Sequence, residues 1–226
     1  MRKILLACVL VVASGAAGPQ GADVGLVSMV SGDVGYVPLT GAPGKIKAFM
    51  RLREGDRVEL PSGAQLRMVL FGAARQERWE GPARFRAGLT ASEPLSGKPA
   101  EVTNLPAGVS QRIARVPELI HNARLGGIQM RGGTSPAARV TAEEKAVLSD
   151  ARARYDAVRN ALPPDDITAE LFLFATLEEL RPDPGTRPAE EETRRKQLVQ
   201  EMLRKQPQSD DVKALATRLQ VRPMRN

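Results

Sequence analysis

The fold is decided by Leu52–Phe71, LREGDRVELPSGAQLRMVLF, which holds two strand-like runs joined by a turn. In the first run Val58 and Leu60 alternate with charged residues, and in the second run, residues 64–70, apolar side chains again recur at every other position. A period of two is typical of a strand with one buried face. Between the runs, Pro61-Ser62-Gly63 supplies a preset φ and then a residue that takes a positive φ without steric cost. The stretch therefore predicts a β-hairpin.

The bends on either side of this stretch extend the pattern. The chain has a Gly-Asp bend at Gly55-Asp56, a short strand, a Ser-Gly-Ala turn and a second alternating strand, with Gly32-Asp33-Val34 upstream and Glu80–Phe85 downstream. This order resembles the FecR-type domain, an exported β-rich module first met in regulators of iron uptake. The resemblance covers Val24 to Arg131. It implies a mostly antiparallel body, β-roll or sandwich-like, and no catalytic group.

The first 22 residues have the layout of a secretory signal peptide. A basic start at Arg2-Lys3 precedes an apolar run from Ile4 to Ala13, and small residues follow, so we expect cleavage near Ala17 to Ala22. The apolar run is shorter than the roughly 20 residues that span a bilayer. A Leu-Ala-Cys sequence ends at Cys8, but the apolar run continues past it, so we interpret Cys8 as part of a removed leader and not as a lipidation site. The expected location is the periplasm, with no retained transmembrane helix.

Composition restricts the chemistry of the exported chain. Cys8 is the only cysteine and His121 the only histidine, so we expect no disulfide, no metal site and no cofactor. The net charge of +7 would favour nucleic acid in a cytosolic protein, but export argues against that partner. We interpret the arginines as a solvated surface, with weak attraction to an anionic envelope surface as the alternative.

The candidate binding residues lie in RQERWEGPARFRAG. Trp79 is the only tryptophan and Phe85 follows it by six residues, so the two rings could form a platform on which a sugar stacks. In that hypothesis the flanking Arg78, Arg84 and Arg86 contact wall polymer or lipopolysaccharide. The other interpretation is that the rings are structural and close the β body.

The periodicity changes after the β-rich part. A strand between paired glycines at 126–133 marks the expected end of a FecR-like β domain at residues 23–133. Residues 134–140 have the composition of a linker. From Thr141 the apolar period is near 3.6, which predicts an α-helical region over residues 141–222, either a helical bundle or a helical-repeat-like array.

Four helices are predicted in this region. The first begins at a capping box, Thr141-Ala142-Glu143-Glu144, and ends at Pro163-Pro164. One residue of Asp165-Asp166 is predicted to cap the second helix. The third is predicted over Ala189–Gln206, with acidic residues first and basic residues last, as the helix dipole favours. Ser209 is predicted to cap the fourth.

Function is predicted from what this pattern offers. The sequence contains no Gly-x-Ser-x-Gly, Ser-x-x-Lys or His-Glu-x-x-His motif, and its acidic pairs lie at predicted helix caps and surfaces, so we expect no enzyme. The expected function is a non-catalytic periplasmic binding or regulatory module of the bacterial cell envelope, which engages a protein partner in signal transduction or assembly. The alternative is an envelope glycan-binding protein, for peptidoglycan or lipopolysaccharide.

The nature of the protein partner follows from the resemblance. FecR-type regulators receive a signal from an outer-membrane transporter and pass it inward, which implies an outer-membrane transporter or a membrane regulator as partner. This chain departs from those regulators in having neither a cytoplasmic anti-sigma segment nor a retained membrane helix, so we expect that a further protein transmits any signal. The helical region could supply the docking groove.

Overall fold

The computed structural model describes residues 21–125, 140–181 and 187–221, with residues 122–125 described as backbone only. Over these ranges ten strands form two antiparallel five-stranded sheets, and six helices follow them. The chain is thus a β body followed by an α-helical region. The predicted signal peptide up to residue 20, the glycine-bounded strand at 126–133 and the linker up to residue 139 lie outside the described residues.

Each sheet contains strands from the first and from the second part of the β-rich sequence. The inner sheet has the spatial order β10-β7-β6-β1-β4 and contains β1 (Asp23–Ser31), β4 (Arg51–Arg53), β6 (Gln65–Leu70), β7 (Arg75–Glu80) and β10 (Glu101–Asn104). The outer sheet has the order β3-β2-β5-β8-β9 and contains β2 (Gly35–Val37), β3 (Gly44–Lys45), β5 (Arg57–Leu60), β8 (Ala83–Arg86) and β9 (Glu93–Gly97).

The protein has two apolar cores, one between the two sheets and one between the inner sheet and the helices. The core between the sheets joins Leu66 and Met68 of the inner sheet to Val58 of the outer sheet. The second core joins Leu26 of β1 and Val69 of β6 to the helices. The inner sheet is therefore covered on both faces, by the outer sheet on one side and by the helical region on the other.

The turn at Pro61-Ser62-Gly63 is confirmed, but the hairpin prediction is wrong. The Ala64 N–H donates to the Pro61 carbonyl oxygen at 3.1 Å, and Gly63 has a φ of 79°. However, β5 pairs with β2 and β8 in the outer sheet, whereas β6 pairs with β1 and β7 in the inner sheet. The turn is a corner that takes the chain from one sheet to the other.

The physical reason for this error is the burial of both faces of β6. Leu66, Met68 and Leu70 point into the core between the sheets, as the alternation predicts. The opposite face, which the sequence pattern assigned to solvent, carries Arg67 at 3% exposure and Val69 at 0%. A strand covered on both faces belongs at the centre of a layered sheet, where it pairs along both edges with strands of that sheet.

The helices begin within the range predicted as β domain. The structure contains α1 (Val109–Ile113), α2 (Val116–Leu125), α3 (Ala142–Ala161), α4 (Thr168–Leu180), α5 (Ala189–Lys205) and α6 (Asp210–Arg218). Apolar residues of α1 and α2 join the core of the helical region. The helix α4 lies at its centre and contacts α1, α2, α3 and α5. Almost every residue of α4 is buried, as its central position requires.

Two of the three predicted helix caps are observed. The capping box of α3 is confirmed, because the Thr141 hydroxyl accepts from the Glu144 N–H at 3.1 Å and the Glu144 carboxylate accepts from the Thr141 N–H at 2.7 Å. The Ser209 hydroxyl accepts from the Val212 N–H at 3.3 Å and confirms the cap of α6. The predicted acidic cap of α4 is wrong: the N-cap position is Ile167, which makes no side-chain cap hydrogen bond, and Asp166 before it accepts from the Thr168 N–H at 2.7 Å.

Candidate functional site

The predicted aromatic platform is buried. Trp79 on β7 and Phe85 on β8 stack with ring centroids 4.3 Å apart, which joins the two sheets. Their exposed fractions are 1% and 0%, and the Trp79 indole N–H donates to the Glu77 carboxylate at 3.3 Å. Because neither ring has a face open to solvent, the pair forms part of the core between the sheets and offers no stacking surface for a sugar.

The three predicted arginines do not converge on one surface. Arg78 shares a face of β7 with Gln76, which contacts the helical region, whereas Arg84 and Arg86 alternate with the buried Phe85 and point outward from the outer sheet. Each is also paired locally. Arg78 contacts the carboxylates of Glu80 at 2.5 Å and Glu101 at 3.3 Å, Arg84 donates to a serine at 3.3 Å, and Arg86 contacts a glutamate at 3.3 Å.

Among residues that the structure describes, no group of three or more His, Cys, Asp and Glu side chains is placed to hold a metal ion. His121 is exposed on α2. None of the helices in the described ranges is long and apolar enough to cross a membrane.

A groove of about 680 Å³ lies between α3, α4 and α5, and we call it the helical groove. Its two walls are single helix faces with the spacing i, i+3, i+4, i+7. The α3 wall consists of Lys145, Leu148, Ser149 and Arg152, and the α5 wall of Glu190, Thr193, Arg194 and Gln197.

The floor of the helical groove is apolar. Leu173 and Leu177 lie one turn apart on α4, with exposed fractions of 2% and 6%. The half-buried Leu148 of α3 packs against the same core. Because both leucines are themselves nearly buried, the apolar surface that another segment could cover comes mainly from the half-buried Val140, Leu148 and Pro188 around them.

The rim of the helical groove carries cations that lack a carboxylate partner. Lys145, Arg152 and Arg194 are exposed, and within the described part of the chain none of them forms an ion pair. The Arg194 guanidinium lies 5.9 Å from the ring centre of Tyr155. By contrast, Arg154, also on α3, contacts the Asp150 carboxylate at 2.9 Å. The groove therefore presents three cations without ion pairs, beside two carboxylates, Glu190 and Glu191.

Buried ion pairs hold the walls of the helical groove to its floor. The Glu178 carboxylate of α4 contacts Arg187 at 2.8 Å and Arg195 of α5 at 2.7 Å. Arg181, which follows α4, contacts the Glu144 carboxylate of α3 at 2.9 Å. All three helices are thus tied together at one end, which keeps the groove open at a defined width.

Acid–base properties inside the helical groove follow from partial burial. Burial raises the pKa of the Glu191 carboxyl, against the opposing charge of Arg181 at 3.6 Å. Beside the groove, burial, the charge of Glu170 and a hydrogen bond to it raise the pKa of Tyr155 to about 12. Both effects favour neutral groups near an apolar floor.

A second buried network attaches the helical region to the inner sheet. Arg67 of β6 contacts the carboxylates of Asp165 at 2.7 Å and Asp166 at 3.5 Å. Gln76 of β7 donates to Asp166 at 2.9 Å and to the Thr168 hydroxyl at 2.8 Å. Because these partners lie at the start of α4, the network fixes the floor of the helical groove relative to the β body.

The residues of the helical groove were missed in the sequence, although one signal was present. Lys145 and Arg152 are seven residues apart and therefore share a helix face, which the sequence shows. That this face borders a groove depends on where α4 and α5 pack, and the local sequence of α3 contains no information about that.

Comparisons of the chain with family models, curated proteins and solved structures found no match. The function is therefore inferred from the geometry of the helical groove together with the sequence patterns. Neither the aromatic pair nor a metal cluster in the described ranges provides a competing site.

Proposed function

We propose that this protein is a non-catalytic binding or regulatory module of the bacterial cell envelope that engages a protein partner through the helical groove. The observation that carries the proposal is an apolar floor, in which the half-buried Leu148 lies beside the buried Leu173 and Leu177, beneath exposed cations without ion pairs in the described chain. An apolar floor between two helical walls is the geometry by which proteins bind an amphipathic segment of a partner. A rim of charge then selects the partner.

The cellular setting of this proposal comes from the sequence. The layout of residues 1–22 supports export, and the FecR-type resemblance supports a role in passing a signal between envelope proteins. The partner would be an outer-membrane transporter or a membrane regulator. In this arrangement the β body is the scaffold and the helical region is the contact surface.

The glycan-binding alternative loses its main support. It depended on Trp79 and Phe85 as an exposed platform, and both rings lie in the core between the sheets. The arginines assigned to it lie on different faces of the β body, Arg78 towards the helical region and Arg84 and Arg86 outward from the outer sheet, and each is paired locally. A protein partner in the helical groove accounts for the unpaired rim cations, which the glycan hypothesis does not address.

Site-specific crosslinking in the cell tests the proposal. A photo-crosslinking amino acid is placed at Ser149, which is exposed in the helical groove, and in a second strain at Arg57, which is exposed on β5 far from it. We expect a protein adduct from position 149 that position 57 does not form, in the periplasmic or membrane fraction. Adducts of equal yield from both positions, or wall fragments without protein, would reject the proposal.

A further inference from the structure

We infer that the occupant of the helical groove is an acidic amphipathic helix of the partner protein, an inference that rests on the proposed function and names the chemistry of the partner. The groove is open between two helical walls, so a third helix laid on the α4 floor would complete a helical cluster. The wall from Lys145 to Arg152 spans seven residues, or about 10 Å. A segment of about two helical turns matches this length.

The charge of the occupant follows from the rim. Lys145 and Arg152 project from the α3 wall and Arg194 from the α5 wall. The groove has two acidic groups against these three cations: Glu191 faces Arg181 at 3.6 Å, and Glu190 is exposed on the α5 wall. A ligand with carboxylates along both flanks would pair with the three cations.

The clustering of these cations is specific to the helical groove. Most other cations in the described ranges have a carboxylate within ion-pair distance, including Arg154, Arg159 and Arg195. The remaining described cations without an ion pair each lie on a different element or loop, and they are Lys47, Arg57, Arg84 and Arg218. The other unpaired cations are scattered, whereas three lie around one leucine floor. This clustering marks a binding surface and is not explained by a general excess of basic residues.

The apolar face of the occupant follows from the floor. Leu173 and Leu177 form a row of spacing i, i+4, and Leu148 extends it onto the α3 wall. Leucines spaced three and four residues apart on the ligand would pack into this row. The chain's own residues 126–139 contain two arginines and no acidic residue, so their charge does not complement the rim.

Peptide binding tests the inference directly. Three fluorescent peptides of about 14 residues share one leucine pattern of helical spacing and carry Glu, Gln or Lys at the flanking positions. Fluorescence anisotropy is measured with the exported chain. We expect the Glu peptide to bind about tenfold more tightly than the Gln peptide, with the Lys peptide weakest. Raising the salt concentration should remove most of this difference.

Charge reversal in the helical groove supplies the matched comparison. The double variant Lys145→Glu/Arg152→Glu should bind the Glu peptide about tenfold more weakly and should gain affinity for the Lys peptide. The control Lys47→Glu/Arg57→Glu makes the same change in net charge at exposed positions outside the groove and should bind like the unaltered protein. Far-UV circular dichroism establishes that both variants are folded.

Three results would overturn the inference. One is equal affinity of the Glu and Gln peptides, and another is an equal loss in the groove variant and the control variant. Self-association that all three peptides disrupt equally would assign the groove to a second copy and would also overturn it. If position 149 still crosslinks a partner in the cell, the proposed function stands without the acidic specificity. If position 149 crosslinks no protein in the cell while the Glu peptide still binds selectively, the proposed function is rejected and the acidic specificity of the groove stands.

Discussion

Replacing Arg67 by methionine should weaken the attachment of the helical region to the inner sheet. Arg67 is 3% exposed, and its guanidinium lies 3.5 Å from the carboxylate of Asp166, which is 1% exposed. Removing one member of a buried ion pair costs about 3–5 kcal/mol, because the other charge stays buried without its partner. Asp166 keeps hydrogen bonds from Gln76 and the Thr168 N–H, so we expect the lower value, about 3 kcal/mol.

The second ion pair of Arg67 adds little to this loss. Its contact with Asp165 is short, at 2.7 Å, but the Asp165 side chain is 53% exposed. Water screens such a pair, so its contribution is below about 1 kcal/mol. The effect of the substitution therefore measures the buried contact with Asp166.

Urea unfolding provides the assay, because two signals report on the two parts of the protein. Fluorescence of Trp79, the only tryptophan, follows the β body, and far-UV circular dichroism is dominated by the helices. Since the network joins these parts, both transitions should shift together in Arg67→Met. The matched control is Arg57→Met, an exposed arginine on β5, which should change the free energy of unfolding by less than about 0.5 kcal/mol.

A double-mutant cycle decides whether the loss comes from this pair. Asp166→Asn, Arg67→Met and the double variant should give a coupling energy of about 1–3 kcal/mol. A coupling near zero, or a loss below about 1 kcal/mol in Arg67→Met, would refute the assignment of the network as the attachment. A shift confined to the dichroism signal would show that the two parts unfold independently.

Three further results are expected. Trp79→Ala should lower the free energy of unfolding by about 3–5 kcal/mol, measured by circular dichroism in urea, because it opens a cavity between the sheets; Arg84→Ala should leave it nearly unchanged, and the reverse ranking would contradict the buried position of the ring. Burial and hydrogen bonding to a carboxylate raise the pKa of Tyr36 and of Tyr155 to about 12. Ultraviolet absorbance should therefore show no phenolate near pH 10. The stability that the two neutral tyrosines contribute is complete below about pH 10 and should fall as the pH rises towards 12. Burial would raise the pKa of Asp165, but the hydrogen bond from Arg67 and its charge lower this pKa. The stability that the ionised Asp165 supplies is present above about pH 4 and is lost below it. The melting temperature of Asp165→Asn should therefore vary less with pH in this acidic range than that of the unaltered protein.

Local chemistry explains which expectations the structure confirms. The capping box at Thr141 and the cap at Ser209 form hydrogen bonds across three residues, so the residues that make them are adjacent in the sequence. The turn ending at Gly63 is equally local, because it needs only a positive φ and one backbone hydrogen bond. The order of a β body and then helices follows from the change of apolar period, which is also read within short windows.

Long-range packing explains the expectations that failed. The prediction that β5 and β6 form a hairpin was wrong because the pairing partner of a strand depends on which layers cover its faces. The outward face of β6 was assigned to solvent, yet Arg67 meets Asp166 from a point 99 residues further along the chain. Trp79 was equally compatible with a surface platform and with a core residue, and the packing of β7 against β8 made it a core residue.

Sequence alone was therefore sufficient for the caps of α3 and α6, the turn chemistry and the succession of strands and helices, because each depends on neighbouring residues. The assignment of strands to two sheets, the burial of Trp79 and the charged network beneath α4 required the folded chain. The helical groove belongs to the second group. Its leucine floor and its cationic rim come from three helices, and a groove exists only after the free energy of burying α4 has brought those helices together.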